Sequence, residues 1–435
     1  MTWETALLVY GITVGACLLA GVEIGTAMGL VGILGVSLVS GTQLWQSFGD
    51  IIWNTTNTFT LVSIPLFVLM GEIILRSGLS KRFYSGVSHL LAPFPGGLAH
   101  SNVLGCAVFS ALAGSSMATA MTVGTVAIPE MRARGYSDTL TLGSLTGGGC
   151  LGILIPPSIP IIVYASMVQE SVVELFIAGI VPGLALAALF MVYVAVVALL
   201  RPSMAPRSPE KPAPGVVLKG LVDTVPVALL ILAIIGGMYF GVVTPTEAAA
   251  FGCLLATLVG LVYRDLTFSA FRTALRNAVL TSCVVLFITI NAQILSFAIT
   301  TSGIGRGVAD LLANAGVGPF VFFCLLFLLY LVVGMFIDGL SIMLLTVPIL
   351  YPSMIAMGFD GVWIGIIIVV FIELGALTPP MGLNLFAVKS IATDASLGRI
   401  GKASLPFALI IAGFGFLLYA YPGIVLFLPD MMSTR

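Results

Sequence analysis

Between Gly152 and Ser158 an otherwise apolar run reads Gly-Ile-Leu-Ile-Pro-Pro-Ser, and 223 residues later the pattern returns as Gly375-Ala-Leu-Thr-Pro-Pro-Met381. The paired prolines remove backbone donors and clash with the preceding turn, so an apolar helix has to break at both places. The register holds without a gap: Pro129, Met131, Gly135, Leu151, Gly152, Leu154, Pro156 and Pro157 fall on Pro352, Met354, Gly358, Leu374, Gly375, Leu377, Pro379 and Pro380. Apolar matches mean little in such a chain, but matched prolines and glycines do. Ahead of each break lies an apolar stretch with a polar middle, Ala113-Gly-Ser-Ser116 in the first copy and Gly334-Met-Phe-Ile-Asp-Gly339 in the second. Bare backbone inside a membrane is tolerable only where it lines a cavity or is buried in protein.

A membrane is the right setting. Of 435 residues, 59% are hydrophobic and only 8% charged, and the mean hydropathy is +1.17; a soluble domain does not have this composition. The net charge of −1 is spread without a basic patch, so nucleic acid is not an expected partner. The six cysteines sit in apolar runs without a CxxC pair and read as small packing residues. Residues 5–20 lack a basic leader and run straight into another apolar segment, which predicts a retained span rather than a signal peptide. No P-loop, HExxH or GxSxG motif occurs, and Gly147-Gly148-Gly149 is expected to permit close helix packing. An enzyme is not expected.

Apolar runs long enough to cross about 30 Å of hydrocarbon lie near 4–20, 24–40, 57–76, 137–168 and 175–200, then near 222–241, 245–263, 278–301, 361–391 and 403–428. The stretches 97–131 and 319–353 are each either a broken span or a re-entrant hairpin. Charge favours the hairpin: if 97–131 crossed, Lys81 and Arg82 would face the side opposite Arg132 and Arg134, against the tendency of basic residues to stay inside. The resulting topology puts fifteen Lys and Arg inside, including Arg207 and Lys211, and leaves only Arg306 and Arg435 outside, with both termini outside. Arg132 and Arg134 fall on Ile355 and Met357, as they should if the second copy is inverted. The expected fold is therefore an all-α polytopic membrane protein of two inverted-topology repeats, residues 1–200 and 221–435. Each would carry a re-entrant hairpin and a discontinuous helix, with a proline-rich inner linker over 201–220. Residues 79–92 and 264–277 are both expected to lie along the membrane surface as amphipathic segments.

Inverted repeats with paired broken helices place a binding site near the bilayer midplane, where half-helix ends offer free donors and carbonyls. Hydroxyl and carbonyl oxygens there suit a hard cation such as sodium. One site is expected from Ser115, Ser116, Gly152, Ile155 and Pro156, and a second from Gly334, Asp338, Gly339, Gly375, Thr378 and Met381. At least two coupling sodium ions follow. Past each break Pro157, Ser158, Pro380 and Asn384 open a new half-helix whose positive end suits an anion; with Ser116 and Thr119 they form the candidate substrate set. Asp338 and Glu373 are intramembrane carboxylates and so candidates for sensing a cation or proton. Asp338 is expected to bias the second cation site rather than to touch the substrate anion. Glu72, Glu130 and Glu247 lie nearer span ends and are expected to be solvated or capping. A channel or a membrane scaffold is the non-transporter alternative; a channel is expected to show a continuous polar pore lining, and a scaffold would have no reason for two matched breaks.

The segments SALAGSSMATA, IPEMRARGY, GILIPPSIPIIVYA and ELGALTPPMGLNLF resemble the large membrane subunit of TRAP (tripartite ATP-independent periplasmic) transporters, and the resemblance covers nearly the whole chain. It implies an elevator-type carrier of the bacterial inner membrane, driven by sodium. It further implies a separate four-helix membrane subunit and a periplasmic binding protein that delivers an organic acid, a sugar acid such as sialate or a C4-dicarboxylate. A stand-alone sodium-coupled carboxylate carrier is the alternative. The short outward loops can build no receptor domain, so the binding protein is expected to dock on the outward rim, at Arg306, Glu170, Glu174 and Asp360.

Overall fold

Matched prolines and glycines translate into matched helices. A computed structural model describes residues 2–206 and 214–433; Arg207, Lys211 and Arg435, counted in the basic balance above, lie outside the described residues. The first half runs α1 (Trp3–Leu19), α2 (Ile24–Ser40), α3 (Gln46–Thr56), α4 (Phe59–Arg76), α5 (Leu79–Leu91), α6 (Gly97–Ala113), α7 (Ser116–Ala133), α8 (Asp138–Gly149), α9 (Ile159–Val168) and α10 (Val172–Leu200). The second runs α11 (Pro214–Tyr239), α12 (Pro245–Val262), α13 (Phe268–Thr301), α14 (Ile304–Asn314), α15 (Pro319–Gly334), α16 (Gly339–Ala356), α17 (Gly361–Leu377), α18 (Leu383–Ile391), α19 (Leu397–Ala420) and α20 (Gly423–Ser433). No strand occurs among the described residues. Among the described residues seven helices, α4, α10 to α13, α16 and α19, are long and apolar enough to cross a bilayer.

The halves are interleaved rather than side by side. α2 packs along α13 and α12 along α4, while α1 meets α14 and α11 meets α5. Each contact is the repeat image of the other, as a pseudo-two-fold relation requires. Small residues allow the closest of them: a Cβ on Gly32 of α2 would sit 2.8 Å from the Leu295 amide nitrogen of α13. Helices α6 and α7, like α15 and α16, double back as hairpins. Asn102 donates to the Met131 sulfur at 3.1 Å across the first, and Tyr330 and Thr346 share a 2.5 Å hydrogen bond across the second.

Three sequence expectations change. Residues 264–277 are not a separate surface segment: from Phe268 they belong to the unbroken α13, because no proline or glycine interrupts 268–301. The match of Ser77-Gly78-Leu79-Ser80-Lys81 to Ser302-Gly303-Ile304-Gly305-Arg306 in sequence makes α14 the counterpart of α5, and its start after Gly303 repeats the left-handed Gly78 before α5. The expected linker is shorter, since α11 already begins at Pro214. The last apolar run is two helices, α19 ending before Tyr421-Pro422 and α20 following. An amphipathic helix, α3, precedes the third span and was not foreseen.

Candidate functional site

Each hairpin tip lies on the break of its own repeat because both contact points are glycine. A Cβ on Gly152 would stand 2.4 Å from the Ser116 Cα, and one on Gly375 would stand 2.7 Å from the Gly334 Cα. Contacts this short with backbone leave no room for any side chain. At the second break the Gly382 amide donates to the Met335 carbonyl at 3.1 Å, and Gly382 itself is left-handed with φ 38° and hemmed in by the Ala376 and Thr378 carbonyls. Both Pro-Pro bonds, Pro156–Pro157 and Pro379–Pro380, are cis.

The tips and breaks converge on one cavity of about 280 Å³. Four helix N-termini reach its wall: α7 through Ser115 and Ser116, α9 through Ile159 and Pro160, α16 through Asp338 and Gly339, and α18 through Leu383 and Asn384. Thr281 and Val285 of α13 form the opposite side. Free amides and aligned dipoles make such N-termini attractive to anions. Among the described lining residues the ionisable side chains are Asp338 and Glu373, and none is Lys, Arg or His.

The polar wiring runs across the repeats. Glu373 of α17, 2% exposed, accepts hydrogen bonds from Ser116 of the first tip and from the Asn384 amide of α18 at 3.3 Å. Asn384 also reaches the Cys150 sulfur at 3.3 Å, and Cys150 lies 3.7 Å from the Glu373 carbonyl. A carboxylate buried without a basic partner needs a proton or a bound cation to balance its charge. Cys150, read from sequence as inert packing like the other cysteines, is thus part of the site. The repeat register contains the signal, since Cys150 falls on Glu373 itself; residues that are images of one another and touch lie at the pseudo-axis.

The other expected residues divide by what their side chains do. Ser115 and Asp338, also repeat images, cap α7 and α16 by accepting from the Ala118 amide at 3.4 Å and the Ser341 amide at 3.0 Å. Thr378 donates to the Leu374 carbonyl at 2.6 Å, which leaves its hydroxyl lone pairs available. Thr119 and Ser158 are fully buried with hydroxyl oxygens that find no protein partner, and Ser341, not anticipated, is in the same condition. Ile155 and Pro156 turn their side chains toward α10, against Gly183 and Gly179, so only their backbone can serve a ligand. Pro157 is buried. Pro380 and Met381 are exposed and do not line the cavity.

Outside the site, Glu247 is capping and Glu130 solvated, as expected, whereas Glu72 is neither, being partly buried and paired. Glu247 forms a capping box with Thr244, Glu130 pairs with Arg134, and Glu72 with Arg76 and Asn277. Gly147 and Gly149 admit Phe407 and Ala120 closer than a Cβ would allow, and Gly148 lies tight against Cys106. Of the rim residues, Arg306, Glu174 and Asp360 are exposed. Glu170 is half-buried and accepts from the Tyr351 hydroxyl at 3.2 Å, so it is not a free rim acid.

Residues 12–424 match the family described as the tripartite ATP-independent periplasmic transporter, DctM component. Over 94% of both chains the sequence is 36% identical to the C4-dicarboxylate TRAP transporter large permease protein DctM of Pseudomonas aeruginosa. It is 30% identical to the sialic acid TRAP transporter large permease protein SiaM of Vibrio cholerae, over 95% of this chain and 96% of that one. Among solved structures the YdaH transporter of Alcanivorax borkumensis superposes with a TM-score of 0.58 at 15% identity, covering 89% of this chain and 90% of that one. That likeness concerns the fold.

Proposed function

Because the chain belongs to the DctM family, the large permease component of TRAP transporters and not an enzyme, we propose that it carries an organic acid inward across the bacterial inner membrane on a sodium gradient. The observation that carries this reading is the convergence of four helix N-termini and two unneutralised carboxylates on one cavity between the repeats. N-termini suit the anion, and the carboxylates with the break carbonyls suit the cations that must accompany it. With no basic side chain in the wall, the substrate's charge is met by dipoles and by sodium.

Two cation sites are assigned. The first lies between Ser115-Ser116 and the Gly152–Pro156 carbonyls, the second between Gly334–Gly339 and Gly375–Met381. Ser116 and Asn384 line the cavity and are assigned to the substrate; Thr119, Pro157 and Ser158 are buried and, like the exposed Pro380, do not line it, so they belong to its supporting wall rather than to direct contact. The repeats are placed at 1–200 and from α11 at Pro214 to 435, with both termini outside, and the hairpins move with the broken helices against α2, α4, α12 and α13 as an elevator. The relatives named for C4-dicarboxylate and sialic acid transport mark the substrate class as small carboxylates. A four-helix membrane subunit and a periplasmic binding protein complete the system, the latter docking at Arg306, Glu174 and Asp360.

Liposomes holding this chain with its small subunit test the proposal. Uptake of a four-carbon dicarboxylate or of sialate should require both inward sodium and the binding protein. Equal saturable uptake without the binding protein would favour a stand-alone carrier, and uptake indifferent to sodium would overturn the coupling.

A further inference from the structure

We infer that Arg132 is a positioning residue for transport, whose guanidinium clamps the inner half-helices of the two repeats, α8 and α18, into one unit. Its Nε and Nη2 meet Asp138 Oδ1 and Oδ2 at 2.9 and 3.3 Å. Its Nη1 meets Asp394 Oδ1 at 3.1 Å, and Nη2 meets Asp394 Oδ2 at 3.0 Å. One guanidinium therefore holds two carboxylates, each by a fork. Asp138 is the first residue of α8, and Asp394 follows the end of α18, so the forks join opposite repeats.

Arg399 closes the network with a 2.8 Å bond to Asp138. It sits in the first turn of α19, where a positive charge opposes the helix dipole; the pairing offsets that placement. At their other ends the same two half-helices meet through Cys150 and Asn384. The pair is thus tied at the membrane surface and at the site, and loosening the surface tie changes how Asn384 presents to Glu373. The repeat image is built differently. Arg132 and Asp138 fall on Ile355 and Gly361, and the outer half-helices α9 and α17 are joined by Tyr164 donating to the Gly361 carbonyl at 2.7 Å. Lysine carries the charge of arginine but not its planar fork, which separates a clamp from a mere basic residue.

The inference rests on the transport reading for its function but not for its structural test. In the assembled carrier, Arg132→Lys should slow maximal uptake about as much as Arg132→Ala, roughly 10-fold, with half-saturating substrate changed less than about 2-fold. Asp394→Asn, at an exposed position, should cost roughly 3-fold. Hydrogen exchange in the inner turns of both α8 and α18 should quicken together in the lysine variant, while α2 and α13 stay as they were. A lysine variant that transports like the parent, or exchange that rises only beside residue 132, would overturn the clamp. An inactive parent would count against the transport reading, and the exchange comparison would still decide the clamp.

Discussion

The two broken helices share a sequence pattern and a glycine contact with their hairpin tips, yet they differ in surroundings. From Leu151 through Ser158 the first break is buried throughout, wedged between the first tip and the small face of α10. At the second, Pro379, Pro380 and Met381 are exposed. Their polar wiring is unequal too. Ser116 reaches Glu373, but its image is Gly339 and the image of Glu373 is Cys150, so no matching bond exists on the other side. Repeat symmetry supplies the frame, and its violations make the two sides of the cavity chemically unequal.

The comparison breaks most visibly if bulk is placed at each break. Gly152→Leu pushes a side chain into the Ser116 backbone, so it should abolish uptake and lower the melting temperature, at a cost of about 1–3 kcal/mol or more. Met381→Trp, which adds bulk on the exposed break, should leave both within about 2-fold. Equal damage would mean that the second break is buried in the working protein. Next comes Ser116→Ala, which takes from the buried Glu373 carboxyl one of its hydrogen bonds, worth about 1.5–3 kcal/mol where bound sodium holds that carboxyl ionised. Half-saturating sodium should rise by roughly 10-fold or more while the fold survives thermal unfolding; unchanged sodium dependence would leave that bond structural.

Thr378→Val removes a hydroxyl that already bonds the Leu374 carbonyl, so the expected shift in half-saturating sodium is smaller, about 3-fold to 10-fold. An uptake curve identical to the parent's would take the Thr378 hydroxyl out of the second cation site. The smallest effect concerns acid. The Arg132 guanidinium holds the Asp394 carboxyl below the usual carboxylate range. A depressed folded value stabilises above the ordinary pKa, about 3.9, and is lost only as pH falls through the lower folded value. Protection of the α18–α19 loop against exchange should therefore be flat from neutral pH down to about 4 and fall only below that. A loss beginning near pH 6 would point to a different group.

Much of this was legible in the residues, because proline and glycine report backbone needs directly. Pro156-Pro157 and Pro379-Pro380 locate the breaks, Gly152 and Gly375 the tip contacts, and Ser115 and Asp338 the start of each second hairpin arm. What was hidden belongs to packing between the halves. Nothing local says that Ser116 meets Glu373 rather than a group of its own repeat, or that Ile155 turns away toward Gly183. Helix α3 escaped notice because it is short and half polar, and the start of α13 was misread because its first turns are amphipathic while its continuity depends only on the absence of a breaker. Glu170 looked like a rim acid until Tyr351, distant in sequence, was seen to cover it.

The central claim is that the cavity between the four helix N-termini takes the anion together with sodium. Met117, exposed at its wall beside Ser116, offers a direct reporter: in a Met117→Cys carrier reconstituted with its small subunit, the rate of modification by a water-soluble thiol reagent can be followed with and without ligands. A four-carbon dicarboxylate should slow labelling several-fold in sodium and have no effect in potassium. Labelling that the dicarboxylate leaves unchanged in both salts, or slows equally in both, would contradict the account.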